Sequence, residues 1–231
     1  MLSLEEEYNA ILPINKVKAS FSIEHVILSL FLFDIHGSIG RVELQKKLDL
    51  GRGSLRTFIS RLKEGLGLIE SESTKAHVLT EKGINYVEEL KKEFNLIGNL
   101  PVIFDQWRIE GAKYNASGRL VTNLTFDQAN ELEEKEEEFT NIAKNPGAKG
   151  SILLFMDREK SLSLLFQKEK YGRIIRDLKK EYANEWVKIN EILPLNKGNI
   201  ILVSFADKEI DAKLAVIAVA LEVQKKVKFL K

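Results

Sequence analysis

The sequence contains no cysteine, and this absence excludes several kinds of protein. With none among 231 residues, the chain has neither a disulfide framework nor a zinc site built on thiolates. The three histidines, His25, His36 and His77, define no shared metal-binding face, and no Ser-His-Asp grouping or paired His/carboxylate motif accompanies them. We therefore expect no metal, no cofactor and no enzymatic activity.

Long apolar runs are also scarce. The longest, residues 26–33, is interrupted by Ser29 and is too short to span a bilayer. The basic leader and cleavage site of a signal peptide are missing as well. We expect no membrane association and a cytoplasmic location. Abundant Lys, Glu and Ile with only two Met favours a thermophilic source.

Residues 54–64 have the pattern of a DNA-recognition helix. Their apolar side chains, spaced i, i+3, i+4 and i+7, predict one buried face made of Leu55, Phe58, Ile59 and Leu62. The opposite face is hydroxylated and cationic, which suits a groove where arginine reaches phosphates or guanine and small side chains permit close approach. The candidate DNA-binding residues are Arg52, Ser54, Arg56, Thr57, Ser60, Arg61, Lys63 and Lys75.

The segments before this helix complete the first part of a helix-turn-helix. Apolar spacing predicts a supporting helix that begins near Ile23 and stops near Gly37, and a second helix over residues 41–48. Gly51 and Gly53, on either side of Arg52, permit a sharp turn. Ser54 is then expected to be the N-cap of the recognition helix.

The segments after it predict a wing and a further helix. Residues 68–71 and 76–79 are predicted strands around a polar tip, 72–75, where Lys75 is a candidate contact with the sugar-phosphate backbone and Glu72 opposes it. Thr80 is expected to cap the next helix. That helix is predicted to bury Ile84, Val87, Leu90 or Lys91, and Phe94.

Two sequence patterns in this region resemble known families. Leu-Thr-Glu-Lys-Gly at residues 79–83, after Gly-Leu-Ile at 67–69, resembles the passage from wing to helix in many prokaryotic winged-helix transcription regulators. Residues 39–44 and 50–57, together with Gly-Ala-Lys-Gly-Ser-Ile-Leu-Leu at 147–154, are similar to archaeal two-domain winged helix-turn-helix proteins whose second domain is uncharacterised. This resemblance implies DNA binding by the first domain, and it implies no catalytic residues.

The charge of the chain is nearly balanced, so DNA affinity has to depend on a local surface. The whole protein has a formal net charge of +1. Between residues 41 and 64, however, seven basic residues face three acidic ones. We expect modest non-specific affinity and a dependence on specific contacts. The alternative is a winged-helix protein-interaction scaffold, in which the winged helix docks onto a protein and the second domain supplies another interface. The same helix face can also be an ordinary solvated surface.

The second half of the chain predicts strands and helices but no chemistry. Its predicted strands are residues 102–109, 119–124, 151–156, 162–166, 186–192 and 198–205, with a turn at 113–118, and its predicted helices are 125–145, 171–183 and 208–228. The glutamate run at 133–138 is interpreted as a solvated helix face. Gly147 to Gly150 lacks the spacing of a phosphate loop and precedes a strand rather than a helix.

The sequence therefore predicts an α+β protein in which an N-terminal winged helix-turn-helix domain is followed by a C-terminal α/β sandwich domain. Residues 1–21 form an N-terminal extension, 22–96 the DNA-binding domain, and 97–231 a domain for dimerisation or for sensing a small-molecule effector. The predicted function is a sequence-specific regulator of transcription that binds double-stranded DNA as a homodimer.

Overall fold

The computed structural model describes residues 4–10, 20–73, 76–94, 104–109, 112–121, 131–132, 135–156, 162–164 and 200–229. Helices and antiparallel sheets occur together in this part of the chain, so the fold is α+β, as predicted. The chain divides into two compact units, Met1–Leu90 and Lys91–Lys231. In the described ranges, no helix is both long enough and apolar enough to cross a membrane.

The first unit is built mainly from helices, and two of them have the predicted bounds. Its helices are α1 (Leu4–Ala10), α2 (Ile23–His36), α3 (Arg41–Leu48), α4 (Arg52–Ser60) and α5 (Glu81–Phe94). The chain continues from α4 into a π turn, Arg61–Gly65, as part of the predicted recognition helix. Residues 26–33 of α2 are all buried, so this helix is enclosed by the rest of the unit over about two turns.

The start of α4 differs from the prediction. The helix begins at Arg52 with Gly51 as its N-cap, so Ser54 lies inside the first turn and the prediction that it is the cap was wrong. The sharp turn is made by Asp49, whose φ of 49° lies in the left-handed region. Gly51 has φ −63° and an extended backbone, and Gly53 is helical. Gly51 therefore lies in the turn without a left-handed conformation, and Gly53 lies outside it.

A small antiparallel sheet completes the first unit. It consists of β1 (Ile39–Gly40), β2 (Ile69–Ser71) and β3 (Ala76–Leu79), in the order β1-β3-β2. The predicted hairpin of β2 and β3 is confirmed. Strand β1 was not predicted, because two residues are too few to show a strand pattern in the sequence. The central strand β3 places His77 opposite both Ile39 and Ser71.

Helix α5 is capped as predicted but has a different inner face. The hydroxyl of Thr80 accepts a hydrogen bond from the backbone N–H of Gly83 (3.1 Å) and donates one to the carbonyl of Gly67 (2.7 Å). Val87 and Leu90 are buried as predicted, whereas Ile84 is 51% exposed, so its assignment to the core was wrong. Tyr86 and Gly83 are buried instead, because α5 meets the first unit on a side rotated from the predicted one.

The second unit contains a five-stranded antiparallel sheet and two described helices. The strands are β4 (Phe104–Ile109), β5 (Ala112–Val121), β6 (Gly150–Met156), β7 (Leu162–Leu164) and β8 (Ile200–Ala206), in the order β4-β5-β8-β6-β7. The predicted turn at 113–118 was wrong, because β5 is one continuous strand. Its residues pair with β4 from Ala112 and with β8 as far as Val121.

Strand β8 lies in the middle of this sheet and is enclosed on both faces. Its consecutive residues 202–206 are all buried, as predicted for an almost continuous apolar strand. Helix α6 (Glu136–Lys144) packs against β6, and helix α7 (Glu209–Phe229) packs against β5, β8 and α6. The predicted elements at 171–183 and 186–192, and the first part of the helix predicted from residue 125, lie outside the described residues.

The core of the second unit is dominated by α7. Its predicted inner face is confirmed, since Ala212, Ala215, Val216, Val219 and Val223 are all buried. Two serines form a buried polar pair in the sheet: Ser151 on β6 is opposite Ser204 on β8, and their hydroxyl oxygens are 3.1 Å apart. Ser151 also donates to the carbonyl of Val203 (3.3 Å), so its buried hydroxyl is satisfied.

Candidate nucleic-acid interface

The outer side of α4 carries three of the predicted DNA-binding residues. Arg52, Arg56 and Thr57 are exposed, while the predicted inner face of Leu55, Phe58, Ile59 and Leu62 is buried. Arg52 and Arg56 are four residues apart and thus project from the same side of the helix. A Cβ atom added to Gly53 would meet no other atom within 4 Å. A second macromolecule can therefore approach this part of α4 closely.

Lys63, in the π turn, joins this surface to the hairpin. Its Nζ donates a hydrogen bond to the hydroxyl of Ser71 at the end of β2 (3.1 Å), and both residues are exposed. We call Arg52, Arg56, Thr57 and Lys63 the α4 surface. The sequence from residue 50 to residue 63 contains no acidic side chain. The α4 surface therefore combines three cations with one hydroxyl beside the hairpin.

Two predicted serines are less available than Arg52 and Arg56. Ser60 is half-buried, and its hydroxyl donates to Oε2 of Glu64 (2.7 Å). Ser54 is also half-buried, and its hydroxyl is hydrogen-bonded to that of Ser20. Glu64 is exposed and adds a negative charge at the carboxyl end of the α4 surface.

Arg61 does not lie on the exposed face to which helical spacing assigned it, and this assignment was wrong. The residue is half-buried, and its guanidinium carbon lies over the ring of Phe21, 4.9 Å from the ring centroid. This distance is within the range of a cation–π contact. The atom Nη1 is buried and has no hydrogen-bond partner among the described residues. A DNA contact from Arg61 therefore requires a movement of its side chain.

The described residues near the hairpin tip carry negative charge and hydroxyl groups. Glu70, Ser71, Glu72 and Ser73 are exposed, and Glu72 accepts a hydrogen bond from the hydroxyl of Ser38. Lys75, the predicted contact of the tip, lies outside the described residues. Among the described residues, Lys63 is a cation that is hydrogen-bonded directly to a residue of the hairpin strands.

His77 lies in the middle of the small sheet, as a strand residue and not as a surface ligand. Its side chain is 2% exposed, next to the backbone of Glu70 on the neighbouring strand β2. Burial lowers the pKa of His77, and the positive charges of Arg41 and Lys63 lower it further, while a hydrogen bond with the backbone of Glu70 acts in the opposite direction. Sequence reasoning predicted a wing-strand residue here, but only the register of β3 shows that the imidazole faces inward.

The loop before β6 has no phosphate-binding character. Lys149 pairs with the carboxylate of Asp207 (2.8 Å), and a Cβ atom on Gly147 would lie 3.1 Å from Oδ2 of Asp211. Carboxylates next to this loop repel an anion, in agreement with its sequence. Within the described residues, no group of three His, Asp or Glu side chains is arranged to hold a metal ion.

Comparison with known proteins finds a matching domain family for the first unit and a similar solved structure for most of the chain. Residues 22–85 match a domain family described as PH0730-like, N-terminal domain. The chain is also similar to a solved structure, hypothetical protein PH0730 from Pyrococcus horikoshii OT3, with 25% sequence identity and a TM-score of 0.63. That similarity covers 89% of this chain and 94% of the other. No curated protein matches the chain. The archaeal relationship expected from the sequence is thus supported by a relative from Pyrococcus.

Proposed function

We propose that this protein is a regulator of transcription whose first unit is a winged helix-turn-helix that binds double-stranded DNA. In this assignment α3 and α4 are the two helices of the motif, α4 is the recognition helix, and the hairpin of β2 and β3 is the wing. The order of helices and strands in the first unit supports the assignment. The second unit would then dimerise the protein or sense an effector.

The α4 surface is the observation that carries the proposal. A recognition helix needs cations for phosphates and bases, small side chains at its centre for close approach, and a firm inner face. The α4 surface has these properties, because Arg52, Arg56 and Lys63 surround Thr57 and the open backbone at Gly53. The hydrogen bond from Lys63 to Ser71 keeps the hairpin beside the same surface.

DNA binding by the full chain tests the proposal. Fragments of the source genome would be titrated with the protein across a salt series in the presence of competitor DNA. We expect selective retention of some fragments, with an affinity that falls with salt in proportion to the phosphates contacted. Absence of binding even at low salt would contradict the proposal and favour a protein-docking role for the same surface.

Two variants and a matched control connect the binding to the α4 surface. Arg52→Ala and Arg56→Ala each remove an exposed cation from α4, and Lys92→Ala removes an exposed cation from α5. We expect Arg52→Ala to weaken binding to all sequences and to lower the salt slope by about 1. Arg56→Ala should reduce the preference for the selected fragment by about 10-fold. Lys92→Ala should bind as the unchanged protein does.

A further inference from the structure

The N-terminal helix α1 is attached to α5 through one carboxylate. Glu7 is bound on two sides: Nζ of Lys82 lies 2.6 Å from Oε2, and the hydroxyl of Tyr86 donates to Oε1 (2.8 Å). These partners hold the pKa of Glu7 below its usual range, chiefly through the hydrogen bond from Lys82. Both partners lie on α5. Glu7 therefore attaches α1 to α5. No residue of the α4 surface belongs to α5.

The next residue connects α1 to the segment that covers one side of α4. Tyr8 is 4% exposed, and its hydroxyl donates to the carbonyl of Phe21 (3.1 Å). The ring of Phe21 meets that of Phe58, a core residue of α4, edge to face at a centroid distance of 5.1 Å. A continuous set of contacts thus runs from α1 through Phe21 to the recognition helix.

Arg61 is part of this set of contacts. Its guanidinium lies over Phe21, and both its charge and a side-chain hydrogen bond with Tyr8 oppose the rise that burial causes in the pKa of the tyrosine. The buried Nη1 has no acceptor in the described part of the chain. A buried donor without an acceptor is unfavourable, and the cation–π contact offsets only part of that cost. A phosphate oxygen would supply the acceptor that this position lacks.

We infer that α1 is a strap that competes with nucleic acid for Arg61. The inference rests on the proposed function. While α1 is docked, Tyr8 and Phe21 keep the guanidinium away from the α4 surface. When α1 leaves, Arg61 extends from the carboxyl end of the recognition helix and binds a phosphate. DNA then interacts more strongly with the undocked form than with the docked one, and this difference is what shifts the equilibrium between them.

Hydrogen exchange on the full chain tests the strap directly. The backbone amides of residues 4–10 would be followed in the free protein and in its complex with a retained DNA fragment. We expect faster exchange of these amides in the complex, while the amides of α2 keep their protection and serve as the internal control. Equal or slower exchange of residues 4–10 in the complex would overturn the strap. A protein that binds no DNA would instead count against the proposed function.

A released variant tests the same inference through affinity. Lys82→Met combined with Tyr86→Phe removes both partners of Glu7 and one positive charge. A plain loss of charge would weaken DNA binding, whereas release of the strap should tighten it by about 3-fold to 10-fold at low salt and raise the salt slope by about 1. Lys92→Met removes the same charge from the same helix without touching Glu7, and it should not tighten binding.

Arg61→Met in the released background identifies the residue that gains the contact. We expect this addition to abolish both the tighter binding and the steeper salt slope. Two outcomes would overturn the role of Arg61: a released variant that binds no more tightly than the unchanged protein, and a gain that persists after Arg61→Met. Circular dichroism of each variant establishes that the first unit is still folded.

Discussion

The Nζ of Lys63, in the π turn after α4, donates a hydrogen bond to the hydroxyl of Ser71 at the end of β2. The two residues are eight positions apart and belong to different kinds of element. In the proposed complex Lys63 therefore has two roles. One N–H of its ammonium group holds the hairpin in place, and the other N–H donors reach a phosphate.

The two tasks of Lys63 can be separated by removing each partner of the hydrogen bond. Ser71→Ala deletes the acceptor and leaves the cation, whereas Lys63→Met deletes the cation. We expect Lys63→Met to lower the slope of log K against log salt by about 1, because one phosphate contact is lost. Ser71→Ala should leave that slope unchanged. Equal slopes for Lys63→Met and the unchanged protein would show that Lys63 only positions the hairpin.

Two glycines in helices of the first unit should respond oppositely to alanine. A Cβ atom on Gly83 would lie 2.2 Å from the carbonyl oxygen of Leu68, which is backbone and cannot give way cheaply. We expect Gly83→Ala to lower the free energy of unfolding by roughly 1–3 kcal/mol. Gly53 has open space around the same position, so Gly53→Ala should be neutral or stabilise by up to about 1 kcal/mol.

Denaturant unfolding of the two glycine variants measures this contrast. The same substitution is made in both, so a general effect of alanine on helices is controlled. A Gly83→Ala variant as stable as the unchanged protein would contradict the close approach of α5 to the chain before β2.

His25 should make the first unit sensitive to mild acid. Burial lowers the pKa of His25 from 6.5 to about 4, and its Nδ1 accepts a hydrogen bond from the backbone N–H of Ser22 (3.2 Å). The unfolded chain therefore binds a proton between pH 6.5 and 4 that the folded chain does not bind. The contribution of His25 to stability is present above pH 6.5 and is lost as the pH falls toward 4.

Unfolding at pH 7 and pH 4.5 measures this loss for the unchanged protein and for His25→Gln. We expect the unchanged protein to lose roughly 2 kcal/mol more than the variant over this interval. His36→Gln, at an exposed position at the end of α2, is the control for the loss of an imidazole. Identical losses for all three proteins would show that the protonation of His25 is not linked to folding.

Several features of the first unit follow from spacing along the chain. The bounds of α2 and α3, the cap at Thr80 and the buried face of α4 were predicted because they depend on residues within a few positions of one another. The start of α4 was not predicted correctly, because the left-handed conformation of Asp49 sets the turn and leaves Gly51 as the N-cap. Ile84 shows a similar limit: spacing gives an apolar period, but the surrounding elements decide which side of α5 is covered.

In the second unit, too, some elements were predicted from local pattern, and others were determined by contacts between distant parts of the chain. Nearly continuous apolar runs located β6 and β8, and an apolar stripe at helical spacing located α7, but no local signal showed that residues 113–118 continue a strand. That segment is extended because it pairs with β8, more than eighty residues away along the chain. Antiparallel partners supply hydrogen bonds to every second residue on each side, and these bonds outweigh a weak local preference for a turn.

Local pattern was enough to identify Arg52, Arg56, Thr57 and Lys63 as outward residues near one helix, because a helical period separates its two faces. Contacts between distant parts of the chain determined the position of Arg61. Helical spacing assigned Arg61 to the same outward face, but its side chain is partly covered by Phe21 and Tyr8, which precede it by forty residues or more. A helix position is exposed or buried according to what packs beside it, and that information is not contained in the spacing of the helix itself.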